Sequence, residues 1–345
     1  MKEIRLAKED EVTRQKEIWQ LCFGDPEEYR ELFFCEGYKA DNSLVLLIDE
    51  ILVARLTIIA VELAAPFRNE IKSYQGAMLY GVATHPDYQR QGLARELMTF
   101  TNQYLQRMGL EFSIVVPAEP SLFEYYRKLG YREAFSIREI SLTREMIENL
   151  VVERDEARER DELFLAASPA DYNYLRNTLL QGKLALLYQE EDIAYQQKIS
   201  QMTGADLYIL DCGAEKACLV AERMSATKLM LKELLGGFES LEARRDTMES
   251  VSHEKLRNFR ESRNFGSPAV LSLALQKLAT LPEYENVQEF LIRTPVWQSG
   301  LGVGKVTGVC LGGEIVRPFG MLAPLSQALT EIFSASEGYL GLAFD

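Results

Sequence analysis

The chain has 345 residues, 47% hydrophobic and 26% charged, which is enough for two domains with their own cores and excludes disordered, collagen-like and disulfide-scaffold classes. A formal net charge of -14 excludes the sequence-independent phosphate binding that DNA or RNA partners need, and an acidic surface steers cationic amines instead. The opening MKEIRLAKED has no apolar signal core and no run approaches about 18 apolar residues, so a cytoplasmic protein with no membrane span is expected.

Residues 12–34 read as two short helices meeting at Gly24-Asp25-Pro26, where Asp25 is expected to cap and Pro26 to enter the first turn. Ser43–Leu63 is β-rich and folds as a hairpin about Asp49-Glu50. Residues 66–76 read as a polar loop leading into a strand over AMLYGVATHP, from Ala77 to Pro86. Leu93, Leu97, Phe100, Tyr104, Leu105 and Met108 recur at helical spacing, and Gly109 ends that helix. Phe112–Pro117 reads as a short buried strand, PSLFEYYRKLGY as a helix ending at Gly130, and the segment from Tyr131 to Leu142 as a strand. The order helix, helix, hairpin, strand, helix, strand, helix, strand is that of a mixed α/β layer fold, with a mixed sheet flanked by helices.

Residues 153–162, ERDEARERDE, carry nine charges in ten positions and mark a junction between domains at 1–148 and 149–345. Beyond it come LFLAAS, the helix-like DYNYLRNTLLQG and the strand LALLYQ, then a hairpin over 206–224 turning at Gly213-Ala214. ATKLMLKELL, residues 226–235, fits strand or helix. The order helix, strand, hairpin, strand echoes the start of the chain and suggests a second, diverged α/β copy of the same fold, without a sequence repeat. From about residue 283 strand-like runs alternate with glycine-rich turns, ending in GYLGLAFD. Cys22, Cys35, Cys212, Cys218 and Cys310 are odd in number and lack metal-type spacing, so reduced, mostly buried thiols are expected.

The chemistry concentrates in residues 80–98. Val82, Ala83 and Thr84 end a strand, Pro86 stops it, and Gln89, Arg90, Gln91, Gly92, Leu93, Ala94 and Arg95 open the next helix. Strand, tight loop and helix N-terminus converge unpaired N–H groups and a positive dipole end on one point, a site for a pyrophosphate. Gly92 and Ala94 permit close backbone approach and Arg90 adds a charge.

Gln-x-x-Gly-x-Ala, at Gln89, Gly92 and Ala94, resembles the acetyl-CoA signature of the GNAT superfamily of N-acetyltransferases. Val-Ala-Thr-His-Pro before it resembles the family's fourth strand, whose backbone pairs with the pantetheine arm. Phe123-Glu-Tyr-Tyr-Arg-Lys-Leu-Gly-Tyr131 resembles the family segment whose tyrosine protonates the departing thiolate. The resemblance covers residues 1–145, most strongly 77–131, and implies a GNAT acyl-CoA N-acyltransferase fold with acetyl-CoA as cosubstrate. It assigns Tyr126 as the general acid, while Tyr125 is the neighbour expected to face the core. A phenol with a pKa of about 10 is not far from a thiol, so such a transfer is not steeply uphill. Glu119 stands where the family often has an asparagine that bonds the cofactor, and it is carried as a cofactor-binding candidate. An ionised carboxylate cannot donate to a carbonyl, so capping the next helix, binding the amine or accepting from pantetheine amides are its open roles.

The reaction implied is direct attack of a primary amine of a small cationic acceptor on acetyl-CoA. The proton acceptor is open among Glu36, Glu62, Tyr80, Glu119, the carboxylate of Asp345 and a water relay. His85 follows the cofactor strand beside a proline and is expected at the surface, and His253 in a charged segment is expected to be solvated. Gly300–Gly304 imitates a dinucleotide loop, but a β-rich run follows it, and Arg257, Arg260 and Arg263 are interrupted by acids. The two-domain plan also resembles the enhanced-intracellular-survival acetyltransferases, which modify aminoglycosides, carry a third, sterol-carrier-like domain and bring their terminal carboxylate to the active site. Two other readings stand beside the enzyme on a small amine: an acetyl-CoA sensor without turnover, and a protein lysine acetyltransferase. A homo-oligomer is compatible with each.

Overall fold

The computed structural model describes residues 1–67, 70–143, 163–202, 206–211, 215–225, 228–238 and 314–325. Two compact units divide the chain: one of Met1–Ile137, Gly182–Tyr188 and Pro318–Ala343, the other of Arg138–Gln181, Gln189–Arg317 and Phe344–Asp345. The first unit takes in two short segments from far along the chain as well as the N-terminal run.

In chain order the first unit begins with strand β1 (Lys2–Leu6), helices α1 (Val12–Cys22) and α2 (Glu27–Leu32), and strands β2 (Ser43–Ile48), β3 (Ile51–Phe67) and β4 (Glu70–Thr84). Helix α3 (Leu93–Arg107), strand β5 (Phe112–Val115), helix α4 (Pro120–Arg127) and strand β6 (Arg132–Thr143) follow, with β6 ending in the second unit. β1 to β4 form an antiparallel meander, and β5 joins β4 in parallel. The β2–β3 turn is tight because Asp49 and Glu50 both take positive φ, 47° and 68°, the twist that a two-residue hairpin turn requires. Asp49 is also tied to the amino terminus by an ion pair.

Helix α3 forms because Leu93, Leu97, Met98 and Leu105 line one stripe, and all four are buried against Leu44, Leu46, Ala77 and Leu79 of the sheet. Each such burial stabilises the unit by about 1.5–3 kcal/mol. Gly109 at φ 81° turns the chain out of the helix. The opposite face carries α1, α2 and the helical turn Phe33–Gly37 that follows α2, where Ile18, Trp19, Phe33 and Phe34 are likewise buried.

The second unit opens with strand β7 (Leu163–Ala166) and helix α5 (Pro169–Leu179), started by Ser168, whose hydroxyl accepts from the Asp171 N–H at 3.1 Å. Strand β8 (Ala185–Leu187) belongs to the first unit, where it lies antiparallel to β3. Helix α6 (Glu190–Met202) and strands β9 (Leu207–Asp211), β10 (Glu215–Ser225) and β11 (Lys228–Phe238) complete the described core of the second unit, and β12 (Glu314–Pro324) returns to pair antiparallel with β5 in the first. β7, β9, β10 and β11 are successive antiparallel neighbours, and β6 adds to β11 at Ile140–Thr143. Strand, two helices and three strands, with the first strand beside the next, repeat the order and pairing of β1, α1, α2, β2, β3 and β4. The described elements of the second unit thus follow the topology of the first.

Several expectations need correction. The chain starts with a strand, since Lys2–Leu6 pairs with Leu44–Ile48. Residues 70–76 are not loop but the outer half of β4, paired with Gly76 opposite Val61 and Glu70 opposite Phe67. Their polar side chains are mostly exposed, which is why they read as loop. Asp25 makes no cap: Pro26 holds the N-cap position of α2, and Asp25 Oδ2 accepts from the Trp19 indole at 2.7 Å. The segment 226–235 is strand in its described part, and α6 occupies a stretch with no sequence assignment above. Cys35 is exposed and Cys22 half-buried, while Cys218 is buried; Cys212 and Cys310 lie outside the described residues. So do the charged run 153–162, His253, residues 257–263 and 300–304, and the terminal Asp345. No helix among the described residues is long and apolar enough to cross a membrane.

Candidate functional site

The site begins where two parallel strands part. β4 and β5 pair at Gly76–Met78 against Phe112–Ile114, after which β4 runs on to Thr84 while β5 ends at Val115. Residues 79–84 stay bonded to β3 on their other edge. Their edge toward β5 therefore presents backbone N–H and C=O groups to whatever enters the opening.

A bulge lies in that stretch. Thr57 pairs with Tyr80 and Arg55 with Ala83, so Gly81 and Val82 oppose the single residue Leu56. Gly81 takes φ 57°, and a bulge of this kind re-aims the backbone groups beside it. Ala83 is buried, Val82 and Thr84 half-buried. The Thr84 hydroxyl oxygen is buried with no hydrogen-bond partner among the described residues, an orphan at the strand end that a ligand would satisfy.

The loop after the strand is held from both sides. Gln89 Nε2 donates to the Thr84 carbonyl at 3.1 Å, and His85 Nδ1 accepts from the Asp87 N–H at 3.3 Å. His85 is thus partly buried in its turn, with its ring edge-on to Tyr88, and is not the surface side chain expected. Arg90 takes φ 62° and Gly92 φ 81°, the latter at the N-cap of α3, where no side chain caps the helix. The first-turn N–H groups of Leu93, Ala94 and Arg95 thereby face outward with the positive end of a fifteen-residue helix behind them. The Gln89, Arg90, Gln91 and Arg95 side chains are exposed, whereas Leu93 is buried and contributes only its backbone.

α4 carries the two tyrosines. Tyr126 belongs to the buried cluster beneath α3 and is 7% exposed; Tyr125 packs beside it and is half-buried. Burial pushes both phenols above their ordinary pKa, Tyr126 furthest. The core-facing tyrosine is therefore Tyr126, the reverse of the expected pair orientation, and Tyr125 is left with a buried hydroxyl that has no partner among the described residues. Tyr131, raised to about 12 by burial, bonds Ser113 Oγ at 2.8 Å and anchors the end of α4 to β5. Glu119 is exposed at the N-cap position of α4 without capping it; its Oε2 accepts from Ser121 at 3.3 Å.

Of the other acids, Glu36 is exposed and Glu62 on β3 accepts from Ser73. The side of β4 facing α1 and α2 brings Tyr80, a proton-acceptor candidate from the sequence, together with residues that sequence reasoning missed: Trp19, Phe33 and Phe34 packed around the fully buried Arg55. An arginine inside the apolar run LVARLTII was the available signal.

A mixed sheet parted between its parallel strands, with an uncapped helix N-terminus at the mouth, defines an acyl-CoA N-acyltransferase fold. Residues 3–134 match the family model of the acetyltransferase (GNAT) domain and form a GNAT acetyltransferase domain within the N-terminal unit. Solved structures share the fold over nearly the whole chain. A GCN5-related N-acetyltransferase from Anabaena variabilis has TM-score 0.58 at 15% identity, covering 94% of this chain and 73% of that one. A probable N-acyltransferase from Enterococcus faecalis has TM-score 0.57 at 13% identity, with 94% and 73% covered. Eis1 from Mycobacterium abscessus has TM-score 0.56 at 11% identity, with 94% and 74% covered. A search of curated proteins finds no match to this sequence.

Proposed function

We propose that the protein transfers the acetyl group of acetyl-CoA to a primary amine of a small cationic acceptor by direct attack, in the first unit. The observation that carries this reading is the opening between β4 and β5 set against the uncapped start of α3. Backbone N–H groups of residues 90–95 and the Arg90 and Arg95 side chains bind the pyrophosphate. The free edge of Val82, Ala83 and Thr84 pairs with the pantetheine amides, and the Thr84 hydroxyl gains a partner there.

Tyr126 is the proposed acid. Burial keeps its phenol protonated, so the proton is in place when the carbon–sulfur bond breaks. The same burial makes full ionisation costly, so Tyr126 stabilises the leaving sulfur first as a hydrogen-bond donor and then as the source of its proton. Glu119, exposed at the mouth of α4, is retained as a contact to the pantetheine arm or the amine. A net charge of -14 favours approach of a cationic amine. A thiol-release assay with acetyl-CoA against polyamines, aminoglycosides, amino acids and peptides tests the proposal. Turnover restricted to small cations supports it; tight acetyl-CoA binding with no turnover of any amine overturns it in favour of a sensor.

A further inference from the structure

On the α1 and α2 face of the sheet a buried cation, Arg55, sits among aromatic rings. The Arg55 guanidinium carbon lies 5.2 Å from the Trp19 ring, 5.8 Å from Phe33 and 5.5 Å from Phe34. It donates to Gln15 Oε1 at 3.1 Å, to the Gly81 carbonyl at 3.4 Å and to Thr57 Oγ1. No carboxylate pairs with it among the described residues; the ionisable groups that face it are the phenols of Tyr38 and Tyr80. A buried guanidinium with no anion is costly, and a nearby phenolate would relieve that cost.

The two phenols are not equivalent. Tyr38 is buried and accepts from Gln15 Nε2 at 2.9 Å, and burial pushes its pKa up. Tyr80 is half-buried, stands at the last β3 pair before the Gly81 bulge, and shares a hydrogen bond with the half-buried Tyr29 hydroxyl of α2. Its ring lies 5.7 Å from Trp19 and 5.3 Å from Phe33. Among the groups that face it are Arg55 from β3, Tyr29 from α2 and the Trp19 and Phe33 rings; Asp25 is held one ring away on the Trp19 indole.

We propose that Tyr80, hydrogen-bonded to Tyr29 and facing the Arg55 charge at the point where β4 leaves β5, takes the proton from the ammonium group of the acceptor. Tyr29 passes that proton to solvent, and Arg55 is a positioning residue that favours the phenolate and holds the bulge through the Gly81 carbonyl. The proposal rests on the acetyl-transfer reading above. The protons balance: the ammonium gives one to Tyr80, the neutral amine forms the carbon–nitrogen bond as the carbon–sulfur bond breaks, and the second amine proton replaces the one Tyr126 gives to sulfur. The sum is ammonium plus acetyl-CoA to amide, free thiol and one proton released. An alkylammonium and a phenol have comparable ordinary pKa values of about 10, so the transfer is close to balanced.

The test compares the full chain with Tyr80→Phe, Tyr29→Phe and Arg55→Lys, using 1,4-diaminobutane and a lysine-bearing peptide as ammonium probes and trifluoroethylamine, largely neutral near pH 7, as the control acceptor. Acetyl-CoA affinity is measured for each by titration calorimetry. Tyr80→Phe should lower kcat on the ammonium probes about 100-fold, leave acetyl-CoA affinity within twofold, and lose the rise of rate with pH; Tyr29→Phe should lie between it and wild type. The control amine should be turned over equally by wild type and Tyr80→Phe. Equal loss on both classes of amine, or no loss on either, overturns the proposal while leaving acetyl transfer intact. Arg55→Lys should restore more of the pH-dependent rate than Arg55→Met, and identical behaviour of the two removes its positioning role. Acetyl-CoA binding with no turnover of any probe by wild type overturns the catalytic reading and this role with it.

Discussion

Gly81→Ala should damage the first unit more than Gly92→Ala, the other positive-φ glycine beside the site. At φ 57° the new residue sits in the left-handed region, which costs an L-residue about 1–2 kcal/mol. Its Cβ would stand 2.6 Å from Trp19 Cζ3 and 2.8 Å from Arg55 Nη1. Neither neighbour can yield: Trp19 is 2% exposed and packed on Phe33 at 4.8 Å, and Arg55 is fully buried. Overpacking adds about 1–3 kcal/mol, for a total of about 2–5 kcal/mol. Gly92→Ala is the matched control, with φ 81° and nothing within 4 Å of its Cβ, so only the backbone cost of about 1–2 kcal/mol applies. Urea unfolding of the full-length variants, followed by tryptophan fluorescence, measures the difference. Gly92→Ala should instead weaken acetyl-CoA binding, because its methyl group stands where the pyrophosphate approaches. Equal destabilisation by the two substitutions would refute the claim that Trp19 and Arg55 fix the bulge.

Tyr126→Phe should lower kcat about 100-fold with acetyl-CoA affinity unchanged, measured by thiol release and calorimetry; an unaltered kcat would remove its acid role. Arg90→Asn keeps a residue tolerant of φ 62° and should weaken acetyl-CoA binding about tenfold while flattening its salt dependence, as titrations at two ionic strengths would reveal. Arg176 and Glu233 form a fully buried pair at 3.2 Å in the second unit, so Arg176→Leu should cost about 3–5 kcal/mol in urea unfolding, and the double change to Leu should recover part of it. The Glu11 carboxyl is held below its usual range first by its hydrogen bond from Arg5. Its contribution to stability is present above the unfolded carboxylate value and lost as pH falls below about 4, and Glu11→Gln should flatten that limb of the stability curve.

What could be read in the sequence was what local backbone chemistry dictates. The Asp49-Glu50 turn and the glycine ends of α3 and α4 each depend on a few adjacent residues and stand as expected, while the helix expected to open over Gln89–Ala94 starts at Leu93, with Gly92 as its N-cap. β1 was lost because KEIRL is a five-residue edge strand with three charged residues and none fully buried, and α6 because EEDIAYQQKISQM has only a weak apolar stripe. The return of β12 to β5 joins residues some two hundred positions apart, a pairing that no local pattern encodes. The orientation of Tyr125 and Tyr126 was misjudged because neighbours on a helix differ by about 100° and a motif does not say which of them the core claims. The Arg55 surroundings escaped for a similar reason: Trp19, Phe33, Phe34 and Tyr80 come from three places in the chain and meet only once α1 and α2 lie on the sheet.

The central claim is that the opening between β4 and β5, with the start of α3, binds acetyl-CoA. Calorimetric titration of acetyl-CoA into the full chain and into Gly92→Glu tests it most directly. One equivalent should bind to the wild-type chain and none to the variant, whose carboxylate would meet the pyrophosphate. Absence of binding to the wild-type chain, or equal binding to both, would contradict the claim.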